Sequence, residues 1–139
     1  MSIVQNSMIN LLRESRTIAV VGLSPKPDRA SFRVAAYMQQ AGYKIIPIRP
    51  GMNEILGETC YPSLEAIPPE ITIDIVDVFR RAEQTPPIAI AAVKLKPRCF
   101  WLQSGIINQE SMSTVTESGI IGIQDKCLMI EHRAVASAL

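Results

Sequence analysis

Five side chains that can hold an anion fall within ten residues of one another: Ser24, Lys26, Arg29, Ser31 and Arg33. They follow an apolar run of β-formers, Ile18 to Val21, that stops at Gly22, and they precede the helical pattern VAAYM. A strand that runs through one glycine into a helix is a natural anion site, because the first helical amides lack backbone partners and the helix dipole is positive there. A phosphorylated ligand on this loop is the chemistry these residues imply. Further cations close other apolar runs: Arg49 with Pro50 after YKIIPI, and Arg80-Arg81 after IDIVDVF, where Phe79 could serve as core or as a platform for a purine ring. Gln103 and Ser104 follow RCFWL in the same way. Adjacent arginines point to different sides of an extended chain, so at most one of the pair is expected to face a ligand, and Arg80 is slightly favoured.

Other reactive residues combine less well. Cys127 and His132 are five apart in a helical stretch, a rotation of ~500° that sends them to different faces, and no third residue is placed to orient such a pair. His132 is expected to bond a backbone group or face solvent. Asp74 and Asp77 are three apart in a strand and so on opposite faces; they cannot chelate one metal together, though Asp77 near the strand end could touch a ligand or cap a loop. Cys60, Cys99 and Cys127 are an odd number with no CxxC, which indicates reduced thiols rather than a disulfide framework or a zinc site.

The elements that must position the loops alternate. Residues 3–16 place Val4, Met8, Leu11 and Leu12 at helical spacing with Ser2 as a cap, predicting a leading amphipathic helix within 1–16. A strand over 17–23 is apolar on both faces, as in a central parallel strand. Ser31 or a neighbour caps a helix through Gln40 that Gly42 stops, and a strand at 43–48 completes a βαβ unit of about 30 residues. Residues 49–72, broken by Pro50-Gly51, Pro62 and Pro68-Pro69, form an irregular connection with a short helical turn near 63–66. A third strand spans 73–79. Thr85-Pro86-Pro87 has the form of an N-cap before helical proline, opening a helix that Pro97 ends. Strand four covers 98–102 with Trp101 in the core, Asn108 caps a helix through Glu117, strand five covers 120–123, and a helix over about 126–136 follows.

Alternating strands and helices predict an α/β fold: a three-layer, Rossmann-like domain over 1–139 whose core spans 17–133, with a five-stranded parallel sheet, helices on both faces and an extra N-terminal helix. The expected strand order is 3-2-1-4-5, which places the ligand outside the carboxyl ends of the strands at the switch beside strand one. The 139 residues suffice for one domain and not for two ordinary ones. A net charge of +1 gives no general basic field, so neither nucleic acid nor a membrane surface is an expected partner. No basic leader or long apolar run occurs, and a cytoplasmic location is expected. A homodimer or partner protein is left unassigned.

A dinucleotide fingerprint needs three glycines, whereas Gly22 is followed by Leu23, Ser24, Pro25 and Lys26. Side-chain contacts from Ser24, Lys26 and Arg29 are expected to replace close backbone contact. At the end of the second strand an NAD site carries an acidic residue for the ribose hydroxyls; Arg49 suits a ribose phosphate instead, as in NADP or the 3′-phosphoadenosine of coenzyme A. A dehydrogenase also needs a substrate domain, for which this length leaves no room.

The segments IAVVGLSPKPDRASFRVAAYMQQAGYKIIPIRP, LGETCYPSLEAIP, DIVDVFRRAEQTPPI, FWLQSGIIN and DKCLMIEH occur in an order that resembles the small single-domain CoA-binding proteins of bacteria and archaea, related to the CoA-binding domain of the succinyl-CoA synthetase α subunit. The resemblance covers about 17–133. It implies a Rossmann-like fold that binds coenzyme A or an acyl-CoA, with Gly22, Ser24, Lys26, Arg29 and Ser31 lining the phosphate loop, Arg49 and Pro50 flanking the adenine ribose, and Val78, Phe79, Arg80 and Arg81 bordering adenine or pantetheine. Leu23, Arg33, Gln103 and Ser104 complete the candidate set. Many members read Asn-Pro at Arg49-Pro50 and Arg-Pro-Ser at Arg29-Ala30-Ser31; the first bears on how the ribose phosphate is held. Binding without catalysis is the expectation. An acyl or CoA-transfer enzyme, or a subunit of one, and an NADP-type nucleotide binder are the alternatives.

Overall fold

The computed structural model describes residues 3–139; the proposed Ser2 cap lies outside them. Helix α1 (Ile3–Glu14) leads into strand β1 (Thr17–Val21), helix α2 (Ala30–Gln40) and strand β2 (Lys44–Ile48). A hairpin, β3 (Glu54–Ile55) and β4 (Glu58–Thr59), and a 3₁₀ turn (Leu64–Ala66) precede β5 (Ile75–Val78). Helix α3 (Thr85–Leu95), β6 (Cys99–Leu102), α4 (Gln109–Glu117), β7 (Ile121–Ile123) and α5 (Leu128–Val135) follow. The main sheet is parallel and five-stranded, as the alternation predicts.

Its strand order, β2-β1-β5-β6-β7, corrects the expected one. In chain order of the sheet strands it reads 2-1-3-4-5: the third strand inserts between the first and the fourth instead of lying outside the second. Two features account for this. All four residues of β5 are buried, which requires neighbours and helices on every side. Pro47 in β2 lacks an N–H, and its carbonyl accepts from Tyr61 N at 3.0 Å on the side away from β1, so β2 is an edge strand whose missing donor points outward.

Both faces of the sheet are covered. Ile18, Val20, Ile45, Ile75, Cys99 and Trp101 pack beneath Leu12 of α1, Val34 and Met38 of α2 and Leu128 of α5. On the other face Ala19, Val21, Ile46, Val76, Phe100 and Leu102 meet Ala89 and Ala92 of α3 and Val115 of α4. Helix α1 turns Leu11 and Leu12 inward as its spacing predicts, together with Ile9, but Val4 is 74% exposed. Residues 49–72 are more ordered than their prolines suggest. Leu56 and Gly57, both at positive φ (57° and 74°), make the tight turn of the β3–β4 hairpin, and Lys44 Nζ pairs with Glu58 Oε1 at 2.7 Å.

The caps differ in detail. Asn108 Oδ1 accepts from Ser111 N at 2.8 Å, as expected of an N-cap. Thr85 lies inside α3, where its hydroxyl donates to the Ala82 carbonyl and meets Ser111 Oγ, both at 2.8 Å. Ser31 does not cap α2: its hydroxyl accepts from Ser24 N at 3.0 Å. Asp74 accepts from Arg16 N and Thr17 N at 2.7 and 3.0 Å and so anchors the start of β1.

Asp77 is the exception among the buried strand residues, which are otherwise apolar. It lies between Val20 and Trp101 and is 1% exposed. Oδ1 accepts from Gln103 Nε2 at 2.6 Å, while Oδ2 is buried with no partner among the described residues. Burial pushes the Asp77 carboxyl up to about 7, against the opposing hydrogen bond from Gln103. The Cys99 thiol is raised by burial and by the nearby Asp77. Asp77 therefore keeps its proton in the folded chain from about 3.8, where the unfolded carboxyl ionises, to about 7. Its contribution to stability is fully present below the first value and lost as pH rises through the second. Asp77→Asn, which cannot ionise, is expected to gain on the wild type by on the order of 2 kcal/mol between pH 5 and pH 8. Urea unfolding of both proteins at the two pH values measures this, and an unchanged difference would show that Asp77 does not titrate in that window.

Candidate functional site

The carboxyl end of β1 is held from both sides. Gly22 N donates to the carbonyl of Ile48, the last residue of β2, and Phe79 N just beyond β5 donates to the Val21 carbonyl, each at 2.9 Å. Gly22 has φ +84°, and a Cβ there would lie 2.4 Å from the Phe79 carbonyl oxygen. Only glycine fits this crossing.

The following loop is tied to itself and to the helix it enters. Lys26 N donates to Ser24 Oγ at 3.1 Å, Ser24 N to Ser31 Oγ at 3.0 Å, and Arg29 N to the Lys26 carbonyl at 3.0 Å. Arg29 is the N-cap of α2 and makes no side-chain cap, so the first amides of an 11-residue helix have neither a capping side chain nor an acidic residue in the first turn. Those amides face a cleft of about 390 Å³ lined by Gly22, Ser24, Lys26, Arg29, Ala30, Ser31, Arg49 and Phe79. No acidic side chain lines it.

Arg49 also lines a second cleft of about 250 Å³, so the two meet at this residue. The walls of the second are mostly apolar: Val21 and Ile48 from the strand ends, Pro50, Pro62 and Leu64 from the connection after β2, and Pro87, Ile88 and Ala91 from α3. Its polar groups are Ser63, Glu65, Gln84 and Arg80, whose Nε donates to Gln84 Oε1 at 3.2 Å. The pair of clefts presents a cationic, donor-rich end suited to phosphates and an apolar end suited to a flat ring, both at the switch point between β1 and β5.

Of the residues nominated from sequence, Gly22, Ser24, Lys26, Arg29, Ser31, Arg49 and Phe79 line the first cleft, and Arg49, Pro50 and Arg80 the second. Leu23 and Val78 are fully buried in the two halves of the core. Arg33 is exposed and donates to the Asp28 carbonyl, and Arg81 pairs with Glu83 at 3.8 Å. Gln103 is buried against Asp77, and Ser104 is exposed in the turn beyond β6. The strand order explains these last two placements: with β5 interposed, the loop after β6 starts one strand farther from β1 than the order 3-2-1-4-5 would put it.

The sequence reading missed Ala30 and most of the second cleft. Its wall lies in the connection set aside as irregular and on α3, where Pro87, Ile88 and Ala91 fall at helical spacing, the one signal that a face was available. Cys127 N-caps α5, five residues before His132, whose Nδ1 lies 2.7 Å from the Tyr37 hydroxyl in a half-buried contact, neither bonded to backbone nor turned to solvent as expected. Among the described residues no group of three or more His, Cys, Asp or Glu is placed to hold a metal ion, and no helix is long and apolar enough to cross a membrane.

Comparison with known proteins follows the same outline. The CoA binding domain family model matches residues 16–133. The chain is 43% identical over 122 residues to the uncharacterized protein YneT of Bacillus subtilis, covering 88% of this chain and 89% of that one. It is 34% identical over 65 residues to the ADP-forming acetate–CoA ligase II of Archaeoglobus fulgidus, 45% of this chain and 10% of the ligase. The solved structure of cell-free ID.343 from Thermus thermophilus superposes with a TM-score of 0.89 at 32% identity, over 97% of this chain and 99% of that one.

The crossing at Gly22 makes a direct prediction. Gly22→Ala forces both a left-handed backbone and a clash with a carbonyl, and is expected to cost about 2–4 kcal/mol. Chemical denaturation checks it, and a loss below about 0.5 kcal/mol, the range of an ordinary surface change, would show that the crossing is slack.

Proposed function

Because the chain belongs to the CoA-binding domain family, we propose that the joined clefts bind coenzyme A or an acyl-CoA and that residues 17–133 form the core of one binding domain with no chemistry of its own. The observation that carries the reading is the acid-free cationic cleft meeting a mostly apolar one at Arg49. Coenzyme A has the matching layout: a pyrophosphate, a third phosphate on the ribose and a purine beside it. The pyrophosphate lies on the loop from Gly22 to Ser31 and the open end of α2, with Lys26 and Arg29 as counter-charges. Arg49, at the junction, takes the ribose 3′-phosphate, and the purine enters between Pro50, Leu64 and Ile88.

The absence of catalysis is supported by what faces the clefts. The serine hydroxyls of the loop accept from its own amides, and Cys60, the thiol nearest to Arg49 in the fold, is buried and donates to the Arg49 carbonyl at 3.5 Å. A second reading, a subunit that supplies the CoA site of a transfer enzyme, is favoured by the likeness to a segment amounting to 10% of an acetate–CoA ligase. It predicts acyl transfer only in the presence of a second protein.

Thermal denaturation with CoA, acetyl-CoA, 3′-dephospho-CoA, NADP and NAD tests the proposal. A ligand at 100 times its dissociation constant adds about 2.7 kcal/mol, and no response to CoA or acetyl-CoA would sink it. Lys26→Ala with Arg29→Ala is expected to weaken CoA binding about 10–100-fold while the fold persists. Arg49→Ala should bring CoA and 3′-dephospho-CoA to similar affinities by calorimetry; a retained preference would place the 3′-phosphate elsewhere.

A further inference from the structure

A larger groove, of about 520 Å³, lies at the other end of the sheet, where β1 and β2 begin. Arg13 reaches it from the last turn of α1, Arg16 from the residue before β1, Tyr43 from the residue before β2 and His132 from the last turn of α5. No acidic side chain lines it, and neither arginine forms an ion pair with any described residue. Both guanidiniums are held without being neutralised. Arg13 Nη2 donates to the Ala138 carbonyl, and Arg16 Nη1 donates to the Arg13 and Ser15 carbonyls at 2.8 and 3.1 Å. A guanidinium has five N–H donors, so most remain available on each.

The back of the groove is fixed. Tyr43 spends its hydroxyl on the Leu12 carbonyl at 2.7 Å, and the His132 ring stands edge-on to Tyr37 and Tyr43, with centroids 5.3 and 5.7 Å apart. Tyr37 occupies Nδ1 of His132 and is itself stacked beneath Arg133, 5.1 Å from its ring centre. With the Tyr37 hydroxyl donating to Nδ1, the proton of a neutral imidazole sits on Nε2, which makes no hydrogen bond with any described residue. The groove thus brings two held cations beside the His132 imidazole, with Leu139 also in its lining.

We propose that this groove is a second ligand site, for a small dianion such as a phosphate or a dicarboxylate whose oxygens bridge Arg13 and Arg16 and accept from His132. It is independent of the cleft at the carboxyl end of the sheet and shares no residue with it.

The chain contains a single histidine, so one imidazole resonance reports on the groove alone. Inorganic phosphate and malonate, titrated separately at fixed pH and ionic strength, are expected to move that resonance along a saturating curve in at least one arm, and the arm that saturates identifies phosphate or carboxylate as the preferred chemistry. Arg13→Gln with Arg16→Gln should weaken that binding at least about 10-fold. Lys26→Ala with Arg29→Ala should leave it unchanged, which keeps this result separate from the fate of the CoA proposal. A linear or absent response in both arms would overturn the site, as would an unaltered curve in an arginine variant that keeps the wild-type circular dichroism spectrum. Should that variant not fold, the wild-type arms decide alone.

Discussion

The contact between the backbone of Gly22 and the carbonyl of Phe79 is the constraint on which the ligand-binding end of the molecule depends. At that point β1 is bonded to both neighbours, through Gly22 N to Ile48 and through Val21 O to Phe79, and the chain must leave the sheet without room for a side chain. A positive φ turns it out of the strand toward α2. The amides at the start of α2, Arg49 after β2 and Arg80 after β5 are brought to the same end of the sheet because the three strands they follow are held in register there.

The charge distribution shows why a net charge of +1 says little about recognition. The acidic residues that form ion pairs lie away from the clefts: Asp74 and Glu14 with Arg98, Glu58 with Lys44, and Glu83 with Arg81. Lys26, Arg29 and Arg49 form no ion pair with any described residue. Local potential comes from leaving selected cations unpaired, and summing over the sequence hides it.

The strands were legible because each is a short apolar run bounded by polar turns, and the phosphate loop because its residues are contiguous. Strand order was less so, since every buried strand looks alike when both faces are apolar; the discriminating residue was Pro47, whose missing donor belongs at an edge. The placement of Gln103 and Ser104 followed from that order. The second cleft combines Pro62 and Leu64 with Ile88 and Ala91, residues far apart in the chain, and the pairing of Asp77 with Gln103 crosses 26 positions. Such contacts have no local spacing to betray them. His132 went astray for the same reason, its partner Tyr37 lying on a helix 95 residues earlier.

The segment after β2 has one more effect. Tyr61 donates to the Pro47 carbonyl and accepts from Arg49 N, and the residue bridges Ile48 like a short added strand. With proline removing one donor and Tyr61 occupying the groups beside it, this border of the sheet offers little for another chain to pair with. The opposite border, β7, carries the half-exposed Ile121 and is covered by no sixth strand among the described residues. The same few residues that seal the β2 side hold the backbone of Arg49 at the cleft. A change that loosened Tyr61 would uncover that border and release the backbone of Arg49 together.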